Sequence, residues 1–290
     1  MKVLVVGSNG QLGKEIARQF QSRYELLLYD RPSLDITNYQ SVGSLISDAK
    51  LAVVINAAAY TNVEKAEEDE DTAFRVNALG AQNLALACHK SGAKLVHIST
   101  DYVFDGTASI PYEEFDAPNP LSVYGKSKFW GEKLVEQVGG EYFILRTSWL
   151  YGDGPNFVRT MLELAEQRDQ LKVVADQYGT PTYTKDLVWV IERLIQTEFY
   201  GLYNASNQGS CSWQEFACKI FALAGKSVHV DPVSTAEYPT KAKRPLYSVM
   251  DNKLLRLRGL DVMRPWEDAL QDYMGHEGQL VERQDGGELL

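Results

Sequence analysis

Short apolar runs alternate along the first half of the chain with longer stretches whose apolar residues recur every three or four positions. The runs at 3–7, 25–30, 53–56, 94–100 and 142–150 are rich in Val, Ile and Leu, and most are apolar on both faces. Such runs predict strands of a parallel sheet covered on both sides. The intervening segments 11–20, 39–48, 67–91 and 123–138 carry helical spacing. Strand and helix in alternation predict an α/β fold built on a doubly wound parallel sheet.

After about Tyr151 the pattern loosens. A strand-like run at 171–175 leads into the turn Gly179-Thr180-Pro181-Thr182, then a helix near 185–196 and another over 213–223, with Ser212 as a plausible N-cap. No internal repeat and no low-complexity linker interrupts the chain. The stretch 277–290 holds three glycines and few bulky apolar residues, which predicts a loose tail.

Composition narrows the function. With 290 residues, 44% hydrophobic and 23% charged, the chain is long enough for one large α/β unit or two joined ones. The balance of 29 basic against 39 acidic residues gives −10, which argues against nucleic acid and anionic membranes as general partners. No apolar run approaches the ~20 residues that span a bilayer, and the apolar stretch near the N-terminus is too short for a secretion signal. Cys88, Cys211 and Cys218 show no CxxC or metal-ligand spacing and read as free thiols of a cytoplasmic protein.

The first strand runs straight into Gly7-Ser8-Asn9-Gly10-Gln11-Leu12-Gly13, and a helix follows at once. That spacing lets the backbone turn sharply against a pyrophosphate, whose charge then rests at the helix N-terminus. The strand–turn–helix context makes this the phosphate loop of a Rossmann dinucleotide site. The second strand ends on Asp30, an acid suited to the ribose 2′-hydroxyl of NAD, although a turn cap is the plainer role. Arg31 beside it could pair with a 2′-phosphate, so NADH and NADPH both stay open.

Tyr124 and Lys128 form a YxxxK pair on a helix, where positions i and i+4 share a face. A nearby ammonium lowers a phenol's pKa and makes it a proton donor to a carbonyl that receives hydride. The fourth strand ends in Ser99-Thr100-Asp101, which brings a hydroxyl to the edge where ligands bind. Glycine turn, strand-end hydroxyl and YxxxK in this order form a joint signal stronger than any one of them.

These residues resemble the extended short-chain dehydrogenase/reductases that act on nucleotide-linked sugars, and within them the dTDP-4-dehydrorhamnose reductase family. The resemblance rests on Leu34-Asp35-Ile36-Thr37, Asn56-Ala57-Ala58-Ala59-Tyr60-Thr61, Ser99-Thr100-Asp101-Tyr102-Val103-Phe104, Tyr124-Gly125-Lys126-Ser127-Lys128 and Arg146-Thr147-Ser148-Trp149-Leu150-Tyr151-Gly152. Asp176-Gln177-Tyr178-Gly179-Thr180-Pro181-Thr182 and Lys243-Arg244-Pro245 carry it to about residue 275. It implies a cofactor domain over 1–150 with interwoven later segments, and a smaller α/β substrate-binding domain over 151–276.

The resemblance also implies roles. Gly7, Asn9, Gly10, Gln11, Leu12 and Gly13 would hold the pyrophosphate of NADPH or NADH, Asp30 the ribose, and Asp35 and Ile36 the adenine. Ala57, Ala58, Ala59, Tyr60 and Thr61 would flank the cofactor. Thr100, Tyr124 and Lys128 would be catalytic, with Lys128 also on the nicotinamide ribose. Thr100, Asp101, Tyr102, Trp149 and Arg244 would contact a dTDP-sugar, whose C4 keto group is reduced. Some relatives dimerise through Mg2+ held by glutamates. Glu15 matches one such position, but Lys185 stands where a second acid would help, so the expectation is no metal site and a monomer or weak homodimer.

Other features read more plainly. The acidic run at 64–71 carries net −5 and reads as a solvated helix start. His89, His97, His229 and His276 are scattered, and His97 on an apolar strand reads as a core residue. Phe129-Trp130 reads as helix packing, and Arg244 as either a diphosphate ligand or a surface ion pair. Two other functions fit the fold. An epimerase or dehydratase would keep NAD bound, but Asp101-Tyr102 replaces the Asp-Glu pair of dehydratases. A cofactor-sensing regulatory subunit would have little need of both Tyr124 and Lys128.

Overall fold

The computed structural model describes residues 1–285, and the side chains of residues 1–275. In chain order the first half runs β1 (Lys2–Val6), α1 (Gln11–Phe20), β2 (Glu25–Tyr29), α2 (Tyr39–Ala49), β3 (Val53–Asn56), α3 (Val63–Ala66), α4 (Glu70–Phe74), a π-helical turn (Arg75–Gly80), α5 (Ala81–Ser91), β4 (Lys94–Thr100), α6 (Val123–Val138) and β5 (Tyr142–Thr147). The second half continues with β6 (Leu150–Tyr151), α7 (Phe157–Ala165), β7 (Gln170–Val174), β8 (Tyr178–Gly179), β9 (Thr182–Tyr183), α8 (Thr184–Ile195), β10 (Gly201–Asn204), β11 (Cys211–Ser212), α9 (Trp213–Ala224), β12 (His229–Val233), α10 (Lys253–Leu257) and α11 (Trp266–Asp285).

Six strands form one parallel sheet in the order β10-β5-β4-β3-β1-β2. Side chains alternate between its faces. Val3 and Val5 pack with Ile16 and Phe20 of α1 and Leu187 and Ile191 of α8. Leu4 and Val6 pack on the other face with Val42 and Ile46 of α2, Leu84 of α5 and Val135 of α6. The doubly wound sheet inferred from two-faced apolar strands is therefore present. A third core holds the second half together, with Tyr151, Val158, Phe216, Ile220, Trp266 and Leu270 at its centre.

Three segments differ from the sequence pattern. The helix expected over 67–91 is broken, because Asn62 and Asp69 each accept a backbone N–H three residues on and so start new helices, and the π turn follows. The strand expected over 142–150 stops at Thr147; β6 resumes at Leu150 and pairs with β9 instead. The chain also returns to the first half through α8 and β10, whose Gly-Leu-Tyr-Asn gives little strand signal yet fills the sheet edge beside β5. Ser212 does cap α9, in a reciprocal capping box with Glu215. The segment expected as a tail at 277–290 is helical within α11 to Asp285, and 286–290 lie outside the described residues. Among the described residues no helix is long and apolar enough to cross a membrane.

Candidate active site

A cavity of about 820 Å3 opens at the carboxyl ends of the sheet strands, the edge where doubly wound folds bind ligands. Its cofactor end begins at the turn from β1 to α1. Gly7 has φ +78°, and a Cβ there would lie 2.6 Å from the Ala58 amide nitrogen, so the turn requires glycine. Asn9, Gly10, Gln11 and Leu12 line the cavity, and Gly10 caps α1 with no side-chain acceptor closing the helix start. Gly13 is the exception among the expected residues and does not line the cavity. A Cβ there would lie 2.3 Å from the Gly7 carbonyl oxygen, so Gly13 lets α1 pack directly on the turn.

Asp30 lines the cavity and also caps its own turn. Its carboxylate accepts from Asn9 Nδ2 at 2.5 Å and from Ser33 Oγ at 2.6 Å, and the Ser33 hydroxyl holds it below the usual carboxylate range. Asp35, which accepts from the Thr37 amide and hydroxyl, lies nearby with Ile36. Ala57, Ala58, Ala59, Tyr60 and Thr61 form the opposite wall. The π turn serves this wall: buried Asn77 accepts from Tyr60 N at 2.8 Å and donates to Tyr60 O and to Ser127 Oγ. Nothing in the local sequence signals that Asn77 role, since it depends on residues 17 and 50 positions away. The cavity and its glycine turn fit a dinucleotide.

Thr100, Asp101, Tyr102, Tyr124 and Lys128 converge farther along the same cavity. Thr100 Oγ1 donates to Asp101 Oδ1 at 3.0 Å and accepts from Tyr102 N at 3.2 Å. Burial pushes Tyr124 above the ordinary phenol value, while the Thr100 hydroxyl pulls it down and Asp101 and Tyr102 push it up. The Lys128 ammonium donates to the Ile98 carbonyl, 2.5 Å away, and burial pushes it down to about 8. Asp101 is buried, and burial pushes it up to about 6 against the hydrogen bonds of the Ser248 and Thr100 side chains, which pull it down.

Behind these groups lies a buried ion pair that the sequence did not single out. Glu132 of α6 receives Arg146 of β5 in two bonds of 2.9 and 2.7 Å and the Ser99 hydroxyl at 2.5 Å. It ties the helix bearing Tyr124 and Lys128 to the strand ends on either side.

The far end of the cavity carries Trp149 and Arg244. Trp149, expected as a stacking surface, lies face to face with Trp213, which also lines the cavity and had read only as a helix residue. Arg244 lines the cavity, and its Nη2 donates to Glu64 Oε1 at 2.9 Å.

The sequence family described as the RmlD substrate binding domain matches residues 1–278. The chain belongs to this family. It is 44% identical to the dTDP-4-dehydrorhamnose reductase of Aggregatibacter actinomycetemcomitans over 93% of this chain and 97% of that one. Two crystal structures are similar throughout. A dTDP-4-dehydrorhamnose reductase of Clostridium acetobutylicum has a TM-score of 0.94 at 47% identity, covering 97% of this chain and 100% of that one. That of Bacillus anthracis, in complex with NADP, has a TM-score of 0.93 at 46% identity, covering 95% and 99%.

One further expectation changes for this RmlD family member. The acidic run at 64–71 is not simply a solvated face. Glu64 holds Arg244 and the backbone at 241 and 242, Glu67 accepts from Val123 N at 2.8 Å, and Glu68 pairs with Lys241. Glu15 is engaged on its own helix with Arg18 and Gln19, and Lys185 pairs with Asp272. His97 is a core residue, its Nδ1 bonded to Asn56 at 3.0 Å.

Proposed function

We propose that the protein reduces the C4 keto group of dTDP-4-dehydro-L-rhamnose to give dTDP-L-rhamnose, using NADPH or NADH, for cell-surface polysaccharide synthesis. The observation that carries this reading is the convergence of Thr100, Asp101, Tyr124 and Lys128 on a cavity that continues from the dinucleotide turn. The named activity of the similar proteins supports it, and the NADP in the Bacillus anthracis structure supports NADPH.

When bound, the nicotinamide cofactor supplies the hydride. Asn9 to Leu12 would hold its pyrophosphate at the start of α1, and Asp30 and Arg31 its adenosine ribose. Tyr124 stays a neutral phenol near pH 7, because burial raises it, and so it donates its proton to the C4 oxygen. Thr100 orients that phenol and bonds the same oxygen. Lys128, one turn beyond, is placed to leave the Ile98 carbonyl for the nicotinamide ribose. The Asp101 carboxylate accepts from a sugar hydroxyl. Arg244 grips the diphosphate, and Trp149 with Trp213 meets the base.

The same reading assigns 1–150, completed by α8 and β10, to the cofactor and most of 151–276 to the sugar nucleotide. It has the protein act in the cytoplasm as a monomer or weak homodimer without a bridging metal. The test is a coupled assay from dTDP-glucose through the upstream enzymes, following NAD(P)H absorbance. Stoichiometric consumption with formation of dTDP-rhamnose is expected. Cofactor that survives dialysis and is never consumed would favour an epimerase instead.

A further inference from the structure

We propose that Glu64 is a positioning residue that aims Arg244 at the substrate diphosphate, an inference that rests on the function proposed above. Glu64 stands in the first turn of α3, just beyond the cofactor wall that ends at Thr61. Its carboxylate gathers three donors from a segment far along the chain. Arg244 Nη2 donates to Oε1 at 2.9 Å, and the Lys241 and Ala242 amides donate to Oε2 at 2.8 and 3.3 Å. Lys241 adds an ion pair to Glu68, so the segment is pinned to the cofactor half at both its backbone and its side chains.

The pinning leaves the guanidinium half used. One edge rests on Glu64, and the Tyr102 phenol is hydrogen-bonded to the same guanidinium. The Arg244 Nε is buried, has no partner, and belongs to a side chain that lines the cavity. A buried N–H without an acceptor is costly, and a guanidinium presents Nε and Nη as a fork that matches phosphate oxygens. Glu64 thus fixes, before substrate arrives, the guanidinium of a side chain that lines the cavity. Preorganised in this way, the side chain loses less rotamer freedom on binding.

The opposing expectation is plain electrostatics. Glu64 is an anion near a dianionic ligand, so removing its charge would tighten binding if position did not matter. The two views differ in sign. The experiment titrates dTDP calorimetrically into the full-length, NADP-loaded protein and its Glu64→Gln, Arg244→Gln and doubly substituted forms, with NADP titrations in parallel. Each single substitution is expected to weaken dTDP about tenfold, as for loss of one charge-assisted contact of about 1.4 kcal/mol. The double form should bind no more weakly than Arg244→Gln alone, because Glu64 acts through Arg244. Glu64→Asp should recover part of the loss, and NADP affinity should stay constant.

If Glu64→Gln binds dTDP as well as or better than the unsubstituted protein while Arg244→Gln binds poorly, the positioning role is wrong and the diphosphate reading survives. Equal losses for dTDP and NADP in Glu64→Gln would make Glu64 a general structural contact and overturn the inference. Failure of the unsubstituted protein to bind dTDP would remove the proposed function and this inference with it.

Discussion

The indoles of Trp149 and Trp213 lie parallel, their ring centroids 3.5 Å apart and their planes 8° from one another. Trp149 follows β5 and Trp213 opens α9, so the pair joins the sheet edge to the second half at the cavity wall. Trp149 holds φ +45°, a left-handed conformation that bulky residues rarely adopt. Such strain persists where surrounding contacts over-determine it, often at ligand sites.

Trp213→Ala removes the partner that holds Trp149 in place. Stacked aromatic pairs contribute about 0.5–1.5 kcal/mol beyond their area, so KM for the sugar nucleotide is expected to rise up to about tenfold. NADPH affinity should not move. Steady-state kinetics with parallel cofactor titration measures both.

Asp101 is expected to give the reaction an acid limb. Its carboxyl is pushed up to about 6 by burial, and the proposed role has the ionised carboxylate accept from a sugar hydroxyl. The profile of kcat/KM is expected to fall below about pH 6, and Asp101→Asn should lower the plateau and abolish that limb. Stability runs the other way. Because the folded value lies above the unfolded one, the native state holds the proton more tightly, and stability is lost as pH rises from about 4 through about 6. Denaturant titrations above pH 6 should find Asp101→Asn more stable than the unsubstituted protein.

Lys128 carries the opposite shift. Its folded value of about 8 lies below the ordinary 10.5, so the unfolded chain binds the proton more tightly, and stability falls as pH drops through about 8. At pH 7 the buried ammonium therefore costs on the order of 3 kcal/mol. Lys128→Met is expected to raise the melting temperature at pH 7, with a smaller gain at pH 9, while losing activity. Thermal denaturation at the two pH values decides this.

Arg146 and Glu132 sit in the interior, 3% and 0% exposed, and removing one partner strands the other. Arg146→Met should destabilise the fold by roughly 3–5 kcal/mol, and adding Glu132→Leu should recover much of that loss. Equilibrium unfolding in urea gives both numbers. The fold should return in the double form faster than turnover does, since Ser99 would still lack its acceptor at the end of β4.

The central strands and the helices α1 and α6 were legible because their hydrophobic pattern is local. Val3 to Val6 read as a strand buried on both faces, and they are. The glycine turn was legible for the same reason, with Gly13 serving packing where a ligand contact was expected. The contacts that were not legible join distant positions. Glu64 looked like one acid among several until the chain brought Arg244 to it from 180 residues away. Trp213 looked like a helix residue until it met Trp149. Lys128 had the right spacing, but the spacing did not report that its ammonium donates to the Ile98 carbonyl 30 residues away. Periodicity reports which face of an element is covered; it does not report what covers it.

The most direct test is the turnover of Tyr124→Phe with NADPH and dTDP-4-dehydro-L-rhamnose, measured beside its affinities for NADP and dTDP. The variant keeps the ring against Tyr102 and loses the phenolic hydroxyl with its proton. If Tyr124 is the proton donor, kcat falls by about a hundredfold or more while both affinities stay within about twofold. A variant that turns over within a few-fold of the unsubstituted enzyme would contradict the assignment.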